Sequence, residues 1–168
     1  SAIDMAYMFE QCGKNKLIEL DLGDKFDTSK VTNMKHMFST TGEYTLTSLD
    51  LGDKFDTSNV TNMECMFSMC GATMLTNLDL GDKFDTSKVI NMELMFNEVG
   101  KYTLTSLDLG DKFYTTNVTN MYGMFHMCGL ESMKTLDLGP AFTRIAEGII
   151  TNVYGNTVPA YENMFANV

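Results

Sequence analysis

A 29-residue period governs this chain. Leu-Asp-Leu-Gly starts at Leu20, Leu49, Leu78, Leu107 and Leu136, and each step is 29 residues. Met-Phe starts at Met8, Met37, Met66, Met95 and Met124 with the same step. A sixth Met-Phe, at Met164, follows the fifth after 40 residues, so the last unit carries 40 − 29 = 11 extra residues, between about positions 144 and 160. The two prolines, Pro140 and Pro159, flank this insertion, and Arg144 lies at its start. A short fixed period means that no unit can bury its apolar face alone, so neighbours must stack. Blocks 42–71 and 100–129 lie 58 residues apart and resemble each other more than adjacent units do, which indicates duplication of a two-unit block.

In the second unit, Leu46, Leu49 and Leu51 spell L-x-x-L-x-L, the strand signature of a leucine-rich repeat. Leu49 and Leu51 alternate with Ser48 and Asp50, as in a half-buried strand. Gly52 and Asp53 bend the chain, Phe55 returns to the core, and Asp56, Thr57 and Ser58 have turn chemistry. Met63, Met66, Phe67 and Cys70 then fall at i, i+3, i+4 and i+7, one face of a short helix. Its cap is Asn62, in a column read as Asp4, Asn33, Asn62, Asn91, Asn120 and Asn163, and Gly71 ends it. Two turns of helix are not stable alone, so stacking must hold them. All 11 Phe fall in two columns, Phe26 to Phe142 and Phe9 to Phe165, and both read as core, as do the paired Met columns. The expected fold is α/β: a single leucine-rich-repeat solenoid over residues 1–168. One parallel sheet of short strands lines one face and short helices line the other.

Composition narrows the function. With 44% hydrophobic and 20% charged residues, the 168-residue chain buries a core. Lys plus Arg is 12 and Asp plus Glu is 22, a net charge of −10, which argues against nucleic acid and anionic lipid as partners. No apolar run is long enough to span a membrane. The chain begins at Ser1, inside the helical part of a unit, without an initiator Met or a signal peptide, and ends at Val168 just past a Met-Phe pair. The expectation is a piece of a longer protein, with any secretion signal and anchor outside it.

The stretch Leu49 to Gly71, LDLGDKFDTSNVTNMECMFSMCG, resembles the BspA-like leucine-rich repeats of bacterial surface proteins. That family's pattern is matched at Leu20 to Phe38, Leu49 to Phe67, Leu78 to Phe96 and Leu107 to Phe125. The units depart from it at Ile90, Tyr114 and Thr116, and in the two extra residues of Gly-Asp-Lys-Phe. The resemblance implies an extracellular location on a bacterial cell surface and a role in adhesion or host interaction. It names no ligand.

Candidate chemistry is sparse. Cys12, Cys70 and Cys128 share a column two units apart; at ~4.8 Å per unit their separation of about 10 Å is too great for a disulfide. Cys65 is placed at the surface, and no pair has zinc spacing. His36 and His126 occupy unrelated columns and read as surface residues. Asp21, Asp50, Asp79, Asp108 and Asp137 form an exposed column in which neighbours repel by about 0.9 kcal/mol in water. Asp24, Asp53, Asp82 and Asp111 form a second and Asp27, Asp56 and Asp85 a third. Lys25, Lys54, Lys83 and Lys112 and backbone N–H groups are expected to neutralise them; Ca²⁺ between strands is the alternative, and no metal or other cofactor is assigned. No arrangement of nucleophile, base and electrophile is present, so an enzyme is disfavoured. The Thr28, Thr57, Thr86 and Thr115 column is the only hint of ice binding.

Variation between units points to a partner surface. The columns Lys35, Glu64, Glu93, Tyr122 and His36, Cys65, Leu94, Gly123 change most. The candidate partner-binding residues are Ser48, Asp50, Asn77, Asp79, Ser106 and Asp108 on the strand face, with Tyr44 and Tyr102 on the preceding loops. The expected function is non-catalytic binding of an extracellular host protein or glycan, as in an adhesin. The alternative is a structural spacer or stalk that projects another domain and has no ligand of its own.

Overall fold

The computed structural model describes residues 3–168; Ser1, expected to lie inside the helical part of a unit, is outside them. The 29-residue period is the hydrogen-bonding register of the structure. Glu19 pairs with Ser48, Leu20 with Leu49 and Asp21 with Asp50, in parallel. Bridges link Asp4 to Asn33, Asn33 to Asn62, Asn62 to Asn91 and Asn91 to Asn120 in the same step. Each unit therefore lies directly against the next.

The expected helices do not form. Among the described residues there is no α-helix. The segment from Met63 to Gly71 is a run of tight turns instead. Met66 N–H donates to Met63 O, Ser68 N–H to Cys65 O and Cys70 N–H to Phe67 O, all i to i−3. The alternate N–H groups leave the unit: Met63 donates to Asn91 O, Cys65 to Glu93 O, Phe67 to Met95 O and Met69 to Asn97 O, at 2.7–3.0 Å. Half of the backbone donors thus close turns and half join neighbours, so every one is paired without a helix. The turns need a left-handed residue every fourth position. Cys65 and Met69 take φ 53° and 57°, and His36, Thr40, Leu94 and Glu98 take the same role in adjacent units. In the turns Met63–Met66 and Phe67–Cys70 this residue sits third of four, the place where a type II turn requires positive φ; in the Cys65–Ser68 turn between them Cys65 is the first residue.

The expected cap residues serve these turns. Asn33, Asn62, Asn91 and Asn120 accept the N–H two residues on, at 3.0–3.1 Å. Asn163 does not belong to this column. Met121 N–H donates to Ala160 O, so Ala160 fills that place, and Asn163, with φ 57°, matches Gly123.

The expected continuous sheet is also absent. Strands β1 (Glu19–Asp21) and β2 (Ser48–Asp50) pair in one sheet, and β3 (Ser106–Asp108) and β4 (Thr135–Asp137) in another. The equivalent Asn77–Asp79 is not a strand. Asn77 replaces the Ser of both neighbours, and Asn is depleted in strands. The extra residues of the last unit fold as an antiparallel hairpin, β5 (Ile149–Thr151) with β6 (Thr157–Pro159).

Side chains hold the units in register. The rings of Phe9, Phe38, Phe67, Phe96, Phe125 and Phe165 stack at centroid spacings of 5.4–5.6 Å, tilted by 2–6°. This offset stacking is favourable beyond the area it buries. Met34, Met63, Met92 and Met121 are fully buried beside them, in one core that runs from Met5 to Met164. Thr28, Thr57, Thr86 and Thr115 are buried as well, which removes the flat exposed array that ice binding needs. Their hydroxyls work between units. Thr57 Oγ1 donates to Asp85 O at 2.9 Å and accepts from Asp85 N–H at 2.7 Å.

Candidate functional site

The strand face carries the aspartates, and their geometry begins with the turn after each strand. Asp21, Asp50, Asp79, Asp108 and Asp137 each turn Oδ1 back to accept the N–H of Gly23, Gly52, Gly81, Gly110 or Gly139, at 2.7–2.9 Å. Gly is required at this corner. Gly52 has φ 74°, and a Cβ there would lie 2.5 Å from Gly23 O. Asp27, Asp56 and Asp85 do the same for Ser29, Ser58 and Ser87. For Asp27 these hydrogen bonds from Ser29 hold the carboxyl below its usual range.

The lysines form no contact ion pair with these columns among the described residues, although the charges of Lys54 and Lys30 contribute to lowering the Asp27 carboxyl. Among the described residues the ion pairs involve Lys14, Lys35, Lys101 and His36, and none joins Lys25, Lys54, Lys83 or Lys112 to the aspartates. Lys112 instead reaches the backbone of Asp82 at 3.0 Å. One oxygen of each strand-end Asp is committed to the backbone, and the second is left to face solvent.

A groove of about 650 Å³ runs along this face. Ser48, Asp50, Asn77 and Asp79 line it, with Asp53, Asp82 and Lys83. Ser106 and Asp108 line its continuation. The six candidate strand-face residues are therefore brought onto one concave surface. Tyr44 and Tyr102 are not among its walls. They are about half exposed, each with a lysine ammonium over its ring, Lys14 at 5.4 Å and Lys101 at 5.5 Å. A hydrogen bond with Glu43 pushes the Tyr44 phenol up.

The other polar concentration lies on the turn segments. The columns read as exposed helix positions are largely covered: Glu64, Glu93, Cys65 and Leu94 are buried. The hairpin contributes to this. Val153 N–H donates to Glu93 Oε1, and the rings of Tyr154 and Tyr122 meet edge-on at 6.5 Å. Cys65 is thus only 4% exposed, against the expectation of a surface thiol. Burial first, then the nearby Glu64 and Glu93 charges, push its thiol up to about 12. Burial likewise raises the Glu93 carboxyl.

His36 is half-buried rather than on the surface, and shares the column of Cys65 one unit away. Donor atoms of His36, Glu64 and Cys65 all lie within 4.8 Å of one another. This was legible only in part: His36 and Cys65 are 29 residues apart, but a helical reading turns both to solvent. His126 pairs with Asn97 through Nδ1, at 2.9 Å. All four cysteines are free, with Cys12 exposed and the others buried. No helix among the described residues is long and apolar enough to cross a membrane.

Residues 3–135 match a family described as Mycoplasma protein of unknown function, DUF285. No curated protein and no solved structure matches the chain.

Proposed function

We propose a function for this chain from the premise that it belongs to the DUF285 family, whose match spans well over half of it. The reading is non-catalytic binding: a repeat segment of a BspA-like bacterial surface protein that engages a basic segment of an extracellular host protein. The single observation that carries it is the groove lined by Asp50, Asp53, Asp79 and Asp82, whose carboxylates have no ammonium partner among the described residues. A row of carboxylates without a contacting cation in a concave surface suits a donor-rich, positively charged strand of chain, and complementary charge raises the association rate. Repetition along the face lets weak contacts add.

The spacer reading keeps one observation in its favour. The Phe stack and the inter-unit hydrogen bonds run through successive units, as a rigid projecting element requires.

The test uses a conservative variant. Asp50→Asn, Asp79→Asn and Asp108→Asn together keep the side-chain oxygen that accepts the glycine N–H and remove three charges. Labelled chain is applied to host cells, extracellular matrix proteins, basic peptides and a glycan panel. Saturable, salt-sensitive binding to a protein or basic peptide, weakened at least about tenfold in the variant, supports the reading. Binding to neutral glycan alone, or equal binding by the variant, contradicts it. A folded chain that binds nothing favours the spacer.

A further inference from the structure

We propose that His36, Glu64 and Cys65 form a site for one zinc-class divalent cation, with Glu10 behind the histidine. The three side chains come from two adjacent units and present nitrogen, oxygen and sulfur within 4.8 Å of one another. Tetrahedral zinc with bonds of about 2.0–2.3 Å needs ligand separations of roughly 3.3–3.7 Å, so closure asks for a contraction of about 1 Å. Glu64 Oε1 is held by Lys35 and Oε2 accepts from Asn91 Nδ2 at 3.1 Å, so the contraction is made by Oε1 exchanging its ammonium for the ion while Asn91 keeps Oε2.

A second observation points the same way. His36 Nδ1 is buried and makes no hydrogen bond, although Glu10 Oε1 stands only 3.2 Å away. The other ring nitrogen, Nε2, faces Glu64 Oε1 at 3.9 Å. A cation on Nε2 would leave Nδ1–H to donate to Glu10, the carboxylate–histidine–metal relay that orients most metal-binding imidazoles. The Tyr7 ring, stacked on His36 at 5.1 Å, fixes the plane in which this happens.

Charge supplies the third argument. Glu10, Glu64 and Glu93 converge here, and among the described residues Lys35, 2.9 Å from Glu64 Oε1, is the one ammonium paired with them. Three carboxylates against one ammonium leave an excess of negative charge in a poorly solvated place, which a divalent ion offsets. The ion takes the Cys65 thiolate, the thiol proton leaves to solvent, and Lys35 gives up its place on Glu64 Oε1. Thiolate and imidazole select Zn²⁺ or Co²⁺ over Ca²⁺ and Mg²⁺. Tyr7, Leu94 and Gly123 fill the same column in other units and offer no comparable ligand, so the site is single.

The test is titration of the chain with Co²⁺ and then Zn²⁺. The expected result is one ion per chain, a thiolate-to-cobalt charge-transfer band, and bleaching of that band by Zn²⁺. Cys65→Ser loses the band and His36→Gln weakens binding by at least about tenfold, a typical loss when a coordinating or supporting side chain is removed. Cys12→Ser, at the exposed thiol, keeps the band. Circular dichroism establishes that the variants fold, and the band in the unaltered chain stands as a readout should either fail to. No stoichiometric binding by the unaltered chain overturns the proposal. So does a band that survives Cys65→Ser and vanishes with Cys12→Ser.

Discussion

Replacing Thr57 by Val tests how the units are joined. The side chain is fully buried, and Val matches its shape. The substitution removes one hydroxyl that serves two backbone groups of the next unit, donating to Asp85 O and accepting from Asp85 N–H. Both groups lose their partner in a part-buried place, where water replaces it only incompletely. Each stranded group costs about 1–3 kcal/mol, so the expected loss is about 2–4 kcal/mol after partial relaxation. For a chain of this length that corresponds to a fall of about 5–15 °C in melting temperature. Thr57→Ser keeps the hydroxyl and gives up one methyl, for about 1 kcal/mol. Urea unfolding followed by circular dichroism compares the three proteins. Equal stabilities of the Val and Ser variants, or a Val variant as stable as the parent, would refute the reasoning. A Thr in an exposed turn predicts that outcome.

Two further outcomes follow from the turn segments. Thr40 is β-branched yet holds φ 54°, a conformation that costs such a residue about 1 kcal/mol or more. Thr40→Gly is therefore expected to be neutral or stabilising by about 1 kcal/mol in urea titration, despite glycine's entropy, whereas in a helix it would destabilise by a similar amount. Iodoacetamide applied to the native chain near neutral pH is expected to modify Cys12 alone, since burial pushes Cys65, Cys70 and Cys128 up to about 12. Peptide mapping reads this, and modification of Cys70 before Cys12 contradicts it.

The period and the core columns were legible because each rests on spacing that repeats; of the five expected strand positions, Asn77–Asp79 is not a strand, and the single sheet is broken there. Met63, Met66, Phe67 and Cys70 are all buried, as their spacing requires. The spacing did not fix the backbone. Over two cycles, a helix repeating every 3.6 residues and a turn pair repeating every four place these side chains alike. The discriminating signal is the left-handed position, and here Cys65 and Met69 occupy it rather than glycine. Propensity gives no warning of that, because the stacked neighbour supplies the stabilisation. The same misreading put Cys65 and His36 at the surface and hid the cluster with Glu64. The aspartate columns were found, but not their reason: Asp50 closes the turn at Gly52 before it does anything else. That turn is local, yet the groove beside it exists only once units stack.

The most direct measurement is of scalar couplings across hydrogen bonds, by NMR on isotope-labelled chain. The stacked-turn account predicts coupling from the Phe67 amide nitrogen to the Met95 carbonyl carbon, and from Cys65 to Glu93. Coupling from the Phe67 amide to the Met63 carbonyl, four residues back, would mean an α-helix and would contradict the account.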